Sequence, residues 1–306
     1  MSRPVFLLID DIDDNDEKSS FQYLIRCRYD GLIDTTGKPH VMKIGKETIP
    51  HTAISTADEH SITVRGADLC RDLIGKISFT DYFHLLVTGR RASGPAAAIL
   101  DATLVAIAEH GLVPSVQASR MTLAAAPDAL QGAVAAGILG CGSVILGASE
   151  SAGRMFAEVD ALAGEGGDLD AAALSVVRAY RAERRAIPGY GHPLHKERDP
   201  RVDALFAVAR GQGIELRYIA IAEALETAVA EVLGKPLKLN VSAAIPALLL
   251  GIGFPLAALK GVPILARTAG LIAHLTEELE RSIGFALSYQ AARELVYDGV
   301  PPNQQA

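Results

Sequence analysis

The stretch at residues 187–201, "IPGYGHPLHKERDPR", decides how this chain is read. Pro188, Gly189, Gly191, Pro193 and Pro200 break any regular helix through it, because proline lacks an amide donor and glycine favours turns. On both sides lie alanine-rich segments with apolar residues three and four apart, which is helical periodicity. An irregular, cation-rich segment between helices is a polar connector or one wall of a site, and connectors are commoner. Four details weigh towards a site. The Pro188-Gly189-Tyr190-Gly191 run lets backbone approach a ligand closely and present its N–H groups. His192 follows at once, with an imidazole suited to proton transfer near neutral pH. Arg201 has a planar fork able to clamp a carboxylate. Asp199 and Pro200 have the form of an N-cap and first-turn proline, which starts a helix at Arg201. Together these describe a pocket for a small polyanion. Zinc on His192 and His195 is a weaker reading, since no cysteine or third ligand has suitable spacing.

Working outward, "GADLCRDLIGKISFTDYFHLLVTG" (66–89) predicts a helix ending at Gly89. "SGPAAAILDATLVAIAEHG" (93–111) predicts one that starts at Ser93 and stops at Gly111. Further helices are expected in "SVQASRMTLAAA", in "PDALQGAVAAGILGCGSVILG" from Pro127, and in four amphipathic segments between 149 and 234. A last long one begins near Pro263. The apolar run "AAIPALLLGIGFPLAAL" (243–259) is too short and too interrupted for a membrane span, and reads as buried helix and turn. Residues 1–50 differ in texture: "PVFLLID" and "FQYLIRCRY" have strand character. The expected fold is all-α with a short β-containing N-terminal extension.

The composition narrows the function. Of 306 residues, 49% are hydrophobic and 21% charged, enough for a large core. A net charge of −7 argues against a nucleic-acid footprint, yet the local cations at 192–201 leave room for a small anion. Three scattered cysteines and an N-terminus without signal-peptide form lead to the expectation of a cytoplasmic protein. Two more residues stand out. His110 ends an apolar helix, where the negative end of the helix dipole would favour a protonated ring. Arg267 lies in the apolar run "PILARTAGLIAHL", and an arginine there must be paired or face a cavity.

These segments resemble the citrate synthase superfamily. "PGYGHPLHKERDPR" is similar to its Pro-Gly-aromatic-Gly-His turn followed by Asp-Pro-Arg. The likeness continues in order through "ISTADEHSITVRGADLCRDLIGKISFTDYFHLLVTGRRAS", "IAEHGLVPSVQASRMT", "GKPLKLNVSAAIPALLLGIGFP" and "ARTAGLIAHLTEEL", over about residues 50–285. In the condensing enzymes a Gly-Pro-Leu-His-Gly segment supplies a histidine for the acetyl-CoA enol. Here "CGSVILGASESAGRMF" (141–156) has none, as in the citryl-CoA lyase branch. The resemblance implies a homodimer with a large helical domain (51–147 and 248–306) and a smaller one (148–247) beyond the 1–50 extension. It implies cleavage of citryl-CoA, or a related 3-hydroxyacyl-CoA, to acetyl-CoA and a 2-oxo acid. The coenzyme A thioester is then substrate, with no resident cofactor or metal, no nucleic-acid partner and no membrane. His110 would polarise a substrate oxygen, His192 would act on the hydroxyl, and Arg201 and Arg267 would hold carboxylates. Pro188, Gly189, Tyr190 and Gly191 would seat the CoA portion. One departure matters: the family carboxylate after Asn-Val is Ser242 here, and a serine hydroxyl is no unassisted base. That leaves a condensing enzyme and a non-catalytic CoA-ester binder as alternatives.

Overall fold

The computed structural model describes residues 51–191, 198–213 and 216–300. The expected β-extension over 1–50 lies outside the described residues, as do His192 and His195. The chain divides into two units after Thr52, and the helices described below belong to the second, Ala53–Ala306.

That unit opens with a three-stranded antiparallel sheet, β1 (Ser55–Ala57), β2 (Ile62–Val64) and β3 (Ala67–Asp68). Asp58 shapes the first turn by accepting the amides of His60 and Ser61. Arg65 and Gly66 make the second turn, both at positive φ, as a two-residue hairpin between right-twisted strands requires. Arg65 is held there by its side chain, which donates to the Leu86 carbonyl.

Eleven α-helices follow among the described residues: α1 (Phe79–Thr88), α2 (Gly94–Ala108), α3 (Pro114–Ala125), α4 (Leu130–Ile145), α5 (Gly147–Ala163), α6 (Leu169–Ala182), α7 (Pro200–Gly211), α8 (Arg217–Leu233), α9 (Val241–Gly251), α10 (Gly261–Glu280) and α11 (Gly284–Glu294). The local signals explain most ends. Ser93 caps α2 by accepting the Ala96 amide, and Gly89 closes α1 in the left-handed conformation. Two expectations are corrected. The pattern from Gly66 is not one helix: β3, a π-turn (Leu69–Leu73) and a loop precede α1, whose start is fixed by Ser78 accepting the Asp81 amide. α4 begins at Leu130, three residues after Pro127, because residues 127–128 form a turn.

The core is arranged around α9. Ala243, Ala244, Ala247 and Leu248 pack into a large cluster built from α2 and α5 to α8. Ile245 and Leu249 enter a second cluster, with Leu100 and Ile107 of α2 and Val262 and Ala266 of α10. A helix buried on both sides needs an apolar surface all round, which is why 243–249 carries no polar residue. Its N-terminus, where the first polar side chain is Ser242, opens between the two clusters.

Two stretches, Leu130–Ala163 and Leu256–Glu280, are long and apolar enough to cross a membrane. The first is broken at Gly142, whose backbone (φ 53°, ψ −161°) is not helical. The second carries Arg267, His274, Glu277 and Glu278, and Arg120 of α3 pairs with both glutamates, Glu278 at 2.6 Å and Glu277 at 2.8 Å. A helix so committed to polar partners in its own fold reads as a core helix.

Candidate active site

Three chain segments and one long helix converge at the N-terminus of α9. Asn240 caps that helix, accepting the Ser242 amide at 2.9 Å, while its own Nδ2 donates to the Gly191 carbonyl at 2.7 Å. Backbone bonds from Asn240 N to Gly189 O and from Gly191 N to Lys238 O complete a stitch between 189–191 and 238–240. The glycine turn of the opening motif is thereby fixed against α9. Gly189 sits at φ +88°, and a Cβ there would lie 2.6 Å from the Ala243 Cβ. The close approach that demands glycine in the described structure is to the helix. The Gly191 amide is likewise spent on Lys238. Tyr190 is a core residue: its ring is buried, its hydroxyl donates to the Ala222 carbonyl at 2.9 Å, and burial pushes the phenol well above its ordinary pKa. None of Pro188, Gly189, Tyr190 and Gly191 lines the cavity described below; Gly189 and Gly191 hold the start of α9 through backbone.

Asp199 caps α7 as the sequence predicts, accepting the Arg201 amide at 3.1 Å. The fully buried carboxylate also holds the Arg201 guanidinium through two bonds of 3.0 and 2.7 Å and accepts the Val241 amide at 3.3 Å. Burial works to raise the Asp199 carboxyl, but the bonds from Arg201 and the Val241 amide outweigh it and hold the group below its usual range. One carboxylate so ties the start of α7 to the start of α9 and sets the direction of Arg201.

His110 lies just beyond α2, which ends at Ala108. Arg267, from the middle of α10, donates from Nη2 to the His110 Nδ1 at 3.2 Å. Since guanidinium can only donate, that nitrogen is an acceptor, so the ring is neutral with its proton on Nε2. Arg267 itself is only 6% exposed, and its Nε and Nη1 are buried with no hydrogen-bond partner among the described residues.

His110, Arg201, Ser242 and Arg267 all line one cavity of about 180 Å³, so four of the expected site residues meet although up to 157 positions apart. Ser242 is the second residue of α9, and Pro246, which has no N–H, leaves the Ser242 carbonyl without its usual helical partner. Facing these polar groups is an apolar wall, Val144, Ile145, Leu146 and Ala148, delivered by the break at Gly142. No acidic side chain lines the cavity among the described residues. His192 lies outside them. Sequence reading does not single out Asn240 as a site residue, although asparagine before an apolar run is an N-cap signal that would have found it. Nor does it find Val144 to Ala148, which only the fold brings to the cavity.

An all-helical fold that gathers histidine and two arginines at a buried helix start defines a class. Residues 91–284 match the family profile described as citrate synthase, C-terminal domain, and the chain belongs to that family. Among solved structures it is similar to citryl-CoA lyase from Hydrogenobacter thermophilus, at 32% identity over 85% of this chain and 98% of that one, with a TM-score of 0.75. It shares its fold with Methanosaeta concilii ATP citrate lyase in complex with (3S)-citryl-CoA (21% identity, 87% of this chain and 46% of that one, TM-score 0.69). The same holds for citrate synthase from Thermotoga maritima MSB8 (22%, 75% and 59%, TM-score 0.57). The chain therefore spans less than half of that ATP citrate lyase chain. None of the curated proteins matches it.

Proposed function

We propose that this protein is a citryl-CoA lyase-like enzyme, which cleaves citryl-CoA or a related 3-hydroxyacyl-CoA to acetyl-CoA and oxaloacetate or a related 2-oxo acid. The observation that carries the reading is Arg267. A buried cation with two donors that no described group satisfies is costly on its own and needs an anion, and a carboxylate matches its fork. Arg201, already oriented by Asp199, supplies the second cation. His110, held through Nδ1 by Arg267, brings an imidazole to the cavity lining, a group suited to a substrate oxygen that gains negative charge.

In the cleavage, a base takes the proton of the tertiary hydroxyl, a role we assign to His192. The O–H electrons form the new carbonyl, the adjacent C–C bond breaks, and its electrons pass into the thioester enolate. A proton on the enolate carbon then gives acetyl-CoA. Ser242 and the apolar wall favour this direction. Taking a proton from the acetyl methyl needs a placed base, whereas an enolate is basic enough to be protonated by solvent. The wall at 144–148 offers no histidine to hold an enol formed in the opposite sense. The likeness to Hydrogenobacter thermophilus citryl-CoA lyase supports the same choice.

We also assign the protein a homodimeric, cytoplasmic form, with the small lobe at 148–247 closing on the large one. Leu139 and Val144 of α4 are 79% and 85% exposed, and Phe285 and Tyr289 of α11 are exposed too, an apolar surface that a second copy would cover. Cys70 and Cys141 are free thiols, in keeping with a reducing compartment. The test is direct. The protein is incubated with citryl-CoA, and separately with acetyl-CoA plus oxaloacetate, while oxaloacetate and free thiol are followed. Rapid oxaloacetate release from citryl-CoA with little condensation is expected. Tight binding of CoA esters without turnover of any hydroxyacyl-CoA would overturn the enzyme reading.

A further inference from the structure

Behind His110 stands a second layer of polar contacts that the reaction scheme does not use. Glu109, the residue that ends α2, accepts the backbone amides of His110 at 2.8 Å and Gly111 at 2.5 Å. Its other oxygen lies 2.9 Å from Nε2 of His274 on α10. A carboxylate at a helix C-terminus is in the wrong place for the helix dipole, which disfavours negative charge there. Something must hold it. Burial works to raise the Glu109 carboxyl, but the adjacent His274 imidazole and the Gly111 and His110 amides outweigh it and hold the group below its usual range.

The partner helix is cut to match. Arg267, Gly270 and His274 are spaced three and four apart and share one face of α10. Arg267 touches the His110 ring and His274 touches Glu109. Between them, a Cβ on Gly270 would come within 2.2 Å of the Ala108 carbonyl oxygen, so only glycine lets the turn seat between the two. One helix face therefore grips the 108–111 turn at three points: ring, backbone and carboxylate.

We infer that Glu109 and His274 are positioning residues for His110, holding its backbone turn so that Nδ1 meets Arg267 while the residue lines the cavity. Neither of them lines the cavity. The value of this arrangement to catalysis rests on the function proposed above, but the arrangement itself does not.

The test reads the His110 ring directly. Protein with ¹⁵N-labelled histidine is examined by long-range proton–nitrogen spectroscopy, with His110 assigned from the His110→Asn variant. The unaltered protein is expected to show one tautomer, protonated at Nε2. In Glu109→Ala and His274→Ala the ring signals should move towards the tautomer average, while Glu109→Gln, which keeps an oxygen for both amides, should retain the single tautomer. In citryl-CoA cleavage, Glu109→Ala should lower kcat by roughly 100-fold with little change in KM, as loss of alignment does, and Glu109→Gln should recover most of it. His110 signals unchanged in both alanine variants would overturn the inference whatever the activity. Should Glu109→Ala not fold, His274→Ala gives the same reading from the α10 side. If the protein cleaves no hydroxyacyl-CoA at all, the proposed function fails while the ring signals still decide this point.

Discussion

Arg267→Met separates what is good for the site from what is good for the fold. In the native protein the Arg267 Nε and Nη1 are buried donors that no described group satisfies, and Nη2 reaches His110. Each buried unsatisfied donor costs about 1–3 kcal/mol, while a hydrogen bond to a charged group is worth about 1.5–3 kcal/mol. Methionine fills similar space, removes both costs and forfeits the single bond. Taking the middle of each range, the net expected change is a stabilisation of about 2 kcal/mol, a rise in Tm of about 3 °C for a chain of this size. Ligand response should move the opposite way. With citrate at about 100 times its Kd the native protein gains about 2.7 kcal/mol, which is roughly 4 °C in Tm for a chain of 306 residues. The variant should gain nothing measurable. Differential scanning calorimetry of both proteins, with and without citrate, reads the two effects together. A variant that melts several degrees lower and still shifts with citrate would refute the reasoning, because Arg267 would then be a structural cation rather than a clamp.

Ser242→Asp places an acid in the first turn of α9, where the helix dipole favours it by about 0.3–1 kcal/mol, so the fold should hold. Deuterium exchange into the acetyl-CoA methyl group, followed by mass spectrometry, should rise above the native level; no rise would mean that the acyl end lies elsewhere in the cavity. Glu278 gives a pH prediction. Burial works to raise its carboxyl, but the Ser282 hydroxyl, the Ile283 amide, Arg120 and the Gly284 amide bring it down to about 2. A depressed carboxyl adds stability above its unfolded value that is lost as pH falls from about 4.5 to about 2. Denaturant unfolding of Glu278→Gln across that range should show an acid limb flatter by on the order of 3 kcal/mol; an unchanged limb would remove Glu278 from the account. Gly189→Ala should destabilise by more than about 1 kcal/mol, since the left-handed φ and the contact with Ala243 both oppose a side chain. Its KM for citryl-CoA should rise as the turn separates from Asn240, and unchanged melting and KM would count against the stitch.

Local order was legible wherever a neighbour decides it. Asp199 and Pro200 start α7 because capping needs only the next three residues. Ser93 and Gly89 act in the same way. The break after Gly66 was not legible, since apolar spacing is helical there while the hairpin and π-turn depend on pairing with β2 and packing below it. Tyr190 misleads for a related reason: an aromatic between glycines has the form of a ligand contact, yet its direction is set by the cavity it fills in the core.

The sequence alone determined the helical class, the kin it resembles, and the presence of residue types suited to carboxylates, because periodicity and motif spacing are properties of the chain itself. Only the tertiary structure decided which groups remain available. Asp199 takes one arginine, His110 takes part of the other, α9 takes the glycine turn, and a kink at Gly142 brings an apolar wall to the cavity. Those outcomes depend on contacts between residues up to 157 positions apart, and no local pattern records them.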